Sequence, residues 1–212
     1  MLYSDGISRP LQRTTKVVFD FICASILIIC LSPLLLLIAF FCSLDGGPVL
    51  FAHRRVGAGG RYFDCLKFRT MVVNADEVLR ETLARDPLLA AEWKAYRKLR
   101  DDPRITRFGQ FLRRTSLDEL PQLINVLFLE MSLVGPRPIV ESEIALYGEY
   151  IAEYYRTRPG LTGLWQVSGR SNTSYERRVE LDVWYVNNWR LWHDVMVLLK
   201  TIPVVLAGAG AR

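Results

Sequence analysis

The sequence predicts an α+β chain, mainly helical, built as a monotopic membrane protein with an N-terminal re-entrant helix and a small β-hairpin. Three observations carry this prediction. Residues 21–44, FICASILIICLSPLLLLIAFFCSL, form a run of 24 residues without a charge. Just after it, VLFAHRRV and RYFDCLKFRT set two aromatic and β-branched runs around a GAGG turn. The remaining chain has helical composition punctuated by proline and glycine.

At about 1.5 Å per residue the apolar run would reach roughly 36 Å, long enough to cross a bilayer. It lacks an A-x-A-like cleavage site and is too long for a signal peptide, so it is expected to persist as an anchor. Ser32 and Pro33 fall at its middle, where proline removes a backbone hydrogen bond and Ser32 can bond the freed carbonyl. Basic residues flank both ends: Arg9, Arg13 and Lys16 before, Arg54, Arg55, Arg61, Lys67 and Arg69 after. The positive-inside rule places both flanks in the cytoplasm, which a helix that enters, bends at Ser32-Pro33 and returns would satisfy. The competing reading is a proline-kinked span. Asp20 is either a headgroup-level contact or a partner for Lys16 or a later arginine. This divides the chain into residues 1–44, the re-entrant helix, and 45–212, a cytosolic-face domain with interfacial amphipathic helices.

Beyond the hairpin, residues 74–100 are expected to be helical with a break at Asp86-Pro87, Asp86 capping the second piece. Residues 139–157 read as a helix, 158–171 as a loop, and 174–202 as one or two amphipathic helices ending at Pro203. Trp184, Tyr185, Trp189 and Trp192 in the last region suit either a core stripe or a helix at headgroup level.

Composition narrows the function. With 212 residues, one domain is expected. Half the residues are hydrophobic, 23% are charged and mean hydropathy is +0.15, which excludes disordered, collagen-like and coiled-coil classes. The 27 Lys and Arg against 22 Asp and Glu leave +5, pointing to nucleic acid, an anionic membrane surface or a phosphorylated substrate. The four cysteines and two histidines show neither a disulfide framework nor zinc-ligand spacing.

Most chemistry-bearing residues lie in 104–138. Ser116-Leu117-Asp118-Glu119 can be a capping box, with both acids in a first helical turn. Pro121 points to a later start, near Leu120, leaving both carboxylates just outside the helix, where its positive end with Arg113 and Arg114 would keep them ionised. An ionised Asp is a competent nucleophile toward phosphorus, and adjacent residues do not project in the same direction, so Asp118 and Glu119 are expected to divide the roles, one attacking and the other handling a metal ion or proton. Two oxygen ligands without His or Cys suit Mg²⁺, bound by Asp118 and Glu119. Gly135-Pro136-Arg137-Pro138 is a rigid turn aiming one guanidinium, suited to forking onto a phosphate. Lys67 and Arg69, alternating on one strand face, and Arg170 after Gly169, could add phosphate contacts.

Together, KFRTM, RRTSLDELPQL, MSLVGPRP, RPGLTGLWQVSGR and ELDVWYVNNW, in this order behind an apolar segment containing Ser-Pro, resemble the bacterial sugar transferases known as monotopic phosphoglycosyl transferases. The likeness runs from about Arg13 to Pro203 and matches the small members that consist of the catalytic core alone. It implies transfer of a hexose 1-phosphate from a UDP-sugar, with UDP-galactose or UDP-glucose favoured, to undecaprenyl phosphate at the cytoplasmic face of the bacterial inner membrane, initiating exopolysaccharide or glycan synthesis. By that resemblance Asp118 forms an aspartyl phosphosugar and releases UMP, Glu119 completes the dyad beside Mg²⁺, and Lys67, Arg69, Arg113, Arg137 and Arg170 bind substrate. Asp182 matches an acidic motif position without an assigned role, and Phe128-Leu129 departs from the Lys-Gly of many relatives. Expected partners are the UDP-sugar, undecaprenyl phosphate and membrane lipids. A homodimer is compatible with this reading, and nucleic acid is not an expected partner. The rival class is a membrane-anchored basic scaffold or nucleic-acid-binding protein using the arginine-rich stretch 97–114, which would bind polyanions in a salt-sensitive way without needing Asp118.

Overall fold

The computed structural model describes residues 10–96, 98–169 and 174–206. The apolar run becomes α1 (Pro10–Ser43), the one described helix long and apolar enough to cross a membrane. Pro33 stands inside α1 without ending it. The Ile29 carbonyl, which loses its helical donor to the proline ring, accepts instead from the Ser32 hydroxyl at 2.8 Å.

One stripe of α1 faces inward. Lys16, Asp20 and Ala24 near its start, and Ile38 and Cys42 near its end, are buried at helical spacing. Ile28, Leu31, Leu34 and Leu35 pack against the same body between them. The opposite face presents Ile22, Ile26, Ile29, Leu36, Leu37 and Phe40, each more than half exposed. Asp20 is a buried partner, not a headgroup contact: it accepts from Ser132 (2.7 Å) and the Leu133 N–H (3.2 Å), and lies 3.3 Å from Arg158 and 4.0 Å from Lys16.

The hairpin forms as expected, β1 (Leu50–Val56) antiparallel to β2 (Tyr62–Phe68). Phe51, His53 and Arg55 stand opposite Lys67, Cys65 and Phe63, so all six share one face. The helical stretch after it is α2 (Ala75–Arg85) and α3 (Pro87–Tyr96), broken where expected: Asp86 Oδ1 accepts from the Leu88 N–H at 2.8 Å. There follow α4 (Arg107–Thr115), α5 (Gln122–Leu127) and β3 (Ser132–Val134).

Three expectations are corrected. Residues 139–157 are not one helix but short pieces, with α6 (Ile144–Tyr147) and α7 (Ile151–Tyr155) separated at Gly148, whose φ of 53° leaves the helical region. The stretch read as a loop contains β4 (Gly160–Thr162), which pairs in parallel with β3. The C-terminal helices are α8 (Tyr175–Asn187) and α9 (Leu191–Leu206), and α9 runs through Pro203. Proline so near a helix end removes a single ladder bond.

The core lies where α1, α5, β3, α8 and α9 converge on Leu123, Val126, Met131, Leu133 and Val186, with Ala24 of α1 among them. The aromatic stripe divides. Tyr185 and Trp189 are core residues, whereas Trp184 and Trp192 are 45% and 67% exposed.

Candidate active site

The acidic pair is placed by a helix that stops and another that starts. α4 begins at Thr106, whose hydroxyl accepts from the Gly109 N–H at 2.9 Å. A Cβ at Gly109 would lie 2.0 Å from the Thr70 carbonyl, so only glycine lets α4 approach the end of the hairpin this closely. α4 ends at Ser116 in the left-handed conformation (φ 57°), and Leu117–Glu119 form a 3₁₀ turn before α5. The capping box does not form: Ser116 makes no side-chain cap, and its backbone carbonyl accepts from the Glu119 N–H. Asp118 and Glu119 are therefore free of capping duty. Asn125 on α5 fixes the turn against the hairpin, its Oδ1 accepting from the Leu66 N–H (3.0 Å) and its Nδ2 donating to the Asp64 carbonyl (2.8 Å).

Lys67 on β2 faces both acids, its Nζ 2.6 Å from Glu119 Oε1 and 4.0 Å from Asp118 Oδ2. The expectation that a helix end keeps both ionised needs correction, because α5 has only six residues and burial is the larger effect. Burial pushes the Asp118 carboxyl up to about 6, Glu119 adds repulsion, and Lys67 and Arg113 act against both. Burial also opposes the charge of Glu119, but Lys67, then Arg137 and Arg55, hold its carboxyl below the usual range. The two acids thus differ: a desolvated Asp118 with a basic, weakly solvated carboxylate, and a Glu119 clamped as an anion.

Of the expected basic residues, Lys67 and Arg137 line one cleft with Glu119, together with Arg55, Gln122 and Gln166. Arg113 is an electrostatic neighbour of Asp118, its Nε donating to Thr70 Oγ1 at 2.8 Å. Arg69 does not join them. Its guanidinium is spent on Asp45, on the carbonyls of Cys42 (2.8 Å) and Pro48 (2.6 Å), and on that of Met71 (3.1 Å), tying the end of α1 to the hairpin. The same pairing lowers the Asp45 carboxyl to about 2. Strand alternation misplaced Arg69 because β2 ends at Phe68. Arg170 lies outside the described residues. Asp182 is a core group, accepting from the Tyr147 hydroxyl at 2.7 Å.

Arg137 owes its position to two glycine motifs packed backbone on backbone. The Gly160 N–H donates to the Pro136 carbonyl (2.7 Å) and the Gly135 N–H to the Thr162 carbonyl (2.9 Å). A Cβ at Gly160 would meet the Gly135 nitrogen at 2.1 Å. GPRP and RPGLTG are thus one structural unit. Arg55 was read only as a topological charge, yet it bonds the Pro138 carbonyl (3.3 Å) and influences Glu119. Its signal was the alternation Phe51-x-His53-x-Arg55, which stands opposite Lys67-x-Cys65-x-Phe63 and puts Arg55 on the face of Lys67.

Such a cleft suits an anionic substrate: cations from β1, β2 and the GPRP turn line it with Glu119, and the less acidic Asp118 stands 4.0 Å from the same Lys67. Among the described residues no cluster of three or more His, Cys, Asp or Glu forms a metal cage. Two carboxylates fit a Mg²⁺ ion whose remaining ligands are water and substrate phosphates.

Comparison with known proteins agrees with this chemistry. Residues 11–208 match the family described as bacterial sugar transferase. The chain is 53% identical over 208 residues to the UDP-galactose-lipid carrier transferase of Erwinia amylovora, covering 98% of this chain and 44% of that one. It is 50% identical over 207 residues to the exopolysaccharide production protein ExoY of Rhizobium meliloti, covering 97% and 92%. The UDP-glucose:undecaprenyl-phosphate glucose-1-phosphate transferase of Caulobacter vibrioides is 42% identical over 210 residues, covering 93% and 73%. The chain therefore spans less than half the length of the Erwinia relative and most of the other two. By the extent of these matches, the chain belongs to the bacterial sugar transferase family.

Proposed function

We propose that this protein transfers a hexose 1-phosphate from a UDP-sugar, galactose or glucose, to undecaprenyl phosphate at the cytoplasmic face of the inner membrane. The observation that carries the reading is the pairing of a buried Asp118 with a Lys67-clamped Glu119 in a cation-lined cleft. The names of the Erwinia and Caulobacter relatives support the donor and acceptor classes.

In the first step an Asp118 carboxylate oxygen attacks the phosphorus that bears the sugar. A P–O bond forms to Asp118, the bond to the second phosphate breaks, and UMP leaves with the electron pair. In the second step an oxygen of the lipid phosphate attacks the same phosphorus, the aspartyl bond breaks, and Asp118 is regenerated as polyprenyl diphosphate sugar forms. Desolvation makes Asp118 more nucleophilic than a surface carboxylate, and Lys67 and Arg113 oppose its protonation. Lys67, Arg55 and Arg137 supply fixed positive charge for the phosphates. Mg²⁺, held by Asp118 and Glu119 through hard oxygen donors, would neutralise pyrophosphate charge when bound.

The lipid substrate requires the cleft to stand at headgroup depth, and α1 is suited to that. Its inward stripe docks at both ends on the same body that carries the cleft, and its outer face is apolar. Docking of both ends on one body supports a re-entrant course at Ser32-Pro33 over a crossing that would carry one end away.

The test is UMP release from a panel of UDP-sugars by the membrane-inserted protein with Mg²⁺ and undecaprenyl phosphate, alongside trapping of labelled sugar phosphate on the protein. UMP release with galactose or glucose donors and a label lost in Asp118→Asn are expected. Folded protein that makes no UMP with any donor overturns the assignment, and turnover without trapped label replaces the covalent route by direct displacement.

A further inference from the structure

Beside the cleft, four side chains gather buried polar atoms that have no hydrogen-bond partner among the described residues. They are the indole Nε1 of Trp165, Oε1 of Gln166, the hydroxyl of Tyr175, and Nε and Nη2 of Arg178. Trp165 and Arg178 are each only 8% exposed. The Arg178 guanidinium lies between two rings, 4.8 Å from the centroid of Trp165 and 5.0 Å from that of Tyr175. Its third nitrogen, Nη1, is 3.7 Å from Glu143 Oε1, too far for a hydrogen bond. Folded proteins leave few buried polar groups unpaired, so a cluster of five such atoms calls for a partner.

The cluster adjoins the reacting groups. Gln166 lines the cleft with Lys67, Glu119 and Arg137, and the Arg137 guanidinium is 5.9 Å from the Trp165 ring. Its chemistry is mixed: N–H donors from arginine and indole, a carbonyl acceptor, and a phenol that does both. The Nε–Nη2 edge of Arg178 presents two parallel N–H bonds, a spacing that matches two neighbouring oxygens. Trp165 and Tyr175 are packed against Arg178, and Tyr175 also meets Tyr147 at 6.0 Å. With Arg178 against these rings, the unpaired indole N–H and phenol are left at the ring edges, which suits hydroxyl groups better than the stacking of a flat base.

Resting on the sugar-phosphate transfer reading above, we propose that Trp165, Gln166, Tyr175 and Arg178 form the pocket that reads neighbouring hydroxyls of the donor hexose. The hexose enters from the Gln166 side, where the cluster meets the cleft, while its phosphate stays with Lys67 and Arg137. These four are specificity-determining residues, and the choice among UDP-hexoses is made here rather than at the carboxylates.

Tyr175→Phe and Trp165→Phe test this, each removing one polar hydrogen and keeping an aromatic ring. UMP release is measured for the full chain in membranes with UDP-galactose, UDP-glucose and UDP-hexoses lacking single ring hydroxyls, with UMP as a competing ligand. Each variant is expected to lower kcat/KM about 5- to 10-fold for the preferred intact donor, the worth of one hydrogen bond, with UMP inhibition unchanged. For one deoxy donor, variant and wild type should turn over equally, because the bond is absent in both. Equal weakening of UMP inhibition would place the contact on the nucleotide and overturn the proposal. So would unchanged kinetics with every donor, which marks the cluster as filled by trapped water, or an equal loss across all donors with lowered Tm, which marks a packing role. Wild-type protein that releases no UMP from any UDP-hexose fails the transfer reading itself, a result separable from the others because the variants are then irrelevant to it.

Discussion

Lys16→Met tests whether the start of α1 belongs to the folded body. Lys16 Nζ lies 2.7 Å from Asp194 Oδ2 and 3.2 Å from the Tyr185 hydroxyl, and its side chain is 3% exposed. Asp194 is fully buried and also accepts from Tyr185 (2.5 Å) and from Trp189 Nε1 (3.1 Å). Removing the ammonium leaves a buried carboxylate with only neutral donors, a loss of about 3–5 kcal/mol for a pair of this kind. For a chain of this length each kcal/mol corresponds to roughly 2–4 °C, so Tm should fall by about 6–20 °C. The companion change Asp194→Asn supplies a control, because the amide oxygen can still accept from Tyr185 and Trp189 while carrying no charge. In the Lys16→Met background it should recover at least about half of the loss. The assay is thermal unfolding of purified protein in detergent, followed by tryptophan fluorescence, since Trp189 sits in the network. A Lys16→Met shift below about 2 °C, or a double variant no better than the single, would refute the claim that this ion pair clamps α1 to α9.

The other expectations are briefer. Burial raises the Asp182 carboxyl to about 7, opposed by the Tyr147 hydroxyl and Arg178, so the folded chain holds a proton that the unfolded chain releases near 3.8. Stability on this account is greatest below about pH 4 and declines as pH rises to about 7, and Asp182→Asn should gain about 2 kcal/mol on wild type between pH 5 and 8 in denaturant midpoints; parallel pH profiles would contradict it. Arg69→Met should cost about 2 kcal/mol or more of stability while leaving KM for the donor within about twofold, and the reverse pattern would return Arg69 to the substrate. Leu129 holds a φ of 60° with its side chain half exposed, so Leu129→Gly should stabilise the detergent-solubilised protein by about 1 kcal/mol, and a loss of that size would show that its side chain packs.

Features written in local chemistry were legible in the sequence. The bond from Ser32 to the carbonyl freed by Pro33, the Asp86-Pro87 break and the glycine turn of the hairpin each act through neighbours a few residues away, and the structure places them as expected. Asp118 and Glu119 were recognisable as a pair, but their unequal charge was not, because burial of Asp118 depends on how the Leu117–Glu119 turn packs against α4 and β2. Strands of three residues carry no periodicity, so the β3–β4 pairing was invisible, although the glycines of GPRP and RPGLTG were visible. Arginine direction was the hardest feature to read. Arg55 and Arg69 lie in one basic segment, yet the first reaches the cleft and the second is consumed by Asp45, and one residue past the end of β2 decides which.

The apolar helix α1 and the cleft are parts of one packing arrangement. α1 contacts β2, α5 and β3: the first carries Lys67, the second follows the acidic turn directly, and the third leads into the turn that bears Arg137. Asp20 of α1 bonds Ser132 and Leu133 at the base of β3, so an acidic side chain near the start of the apolar helix helps place the strand. The position of α1 and the geometry of the cleft therefore cannot vary independently. A shift of α1 by one turn, about 5.4 Å, would break the Asp20 and Lys16 contacts together and displace β3 and α5 from the Lys67 side of the cleft. On the proposed reading, in which the acceptor is a phosphate at the membrane surface, this coupling makes the helix that would set the depth part of the scaffold that sets the chemistry.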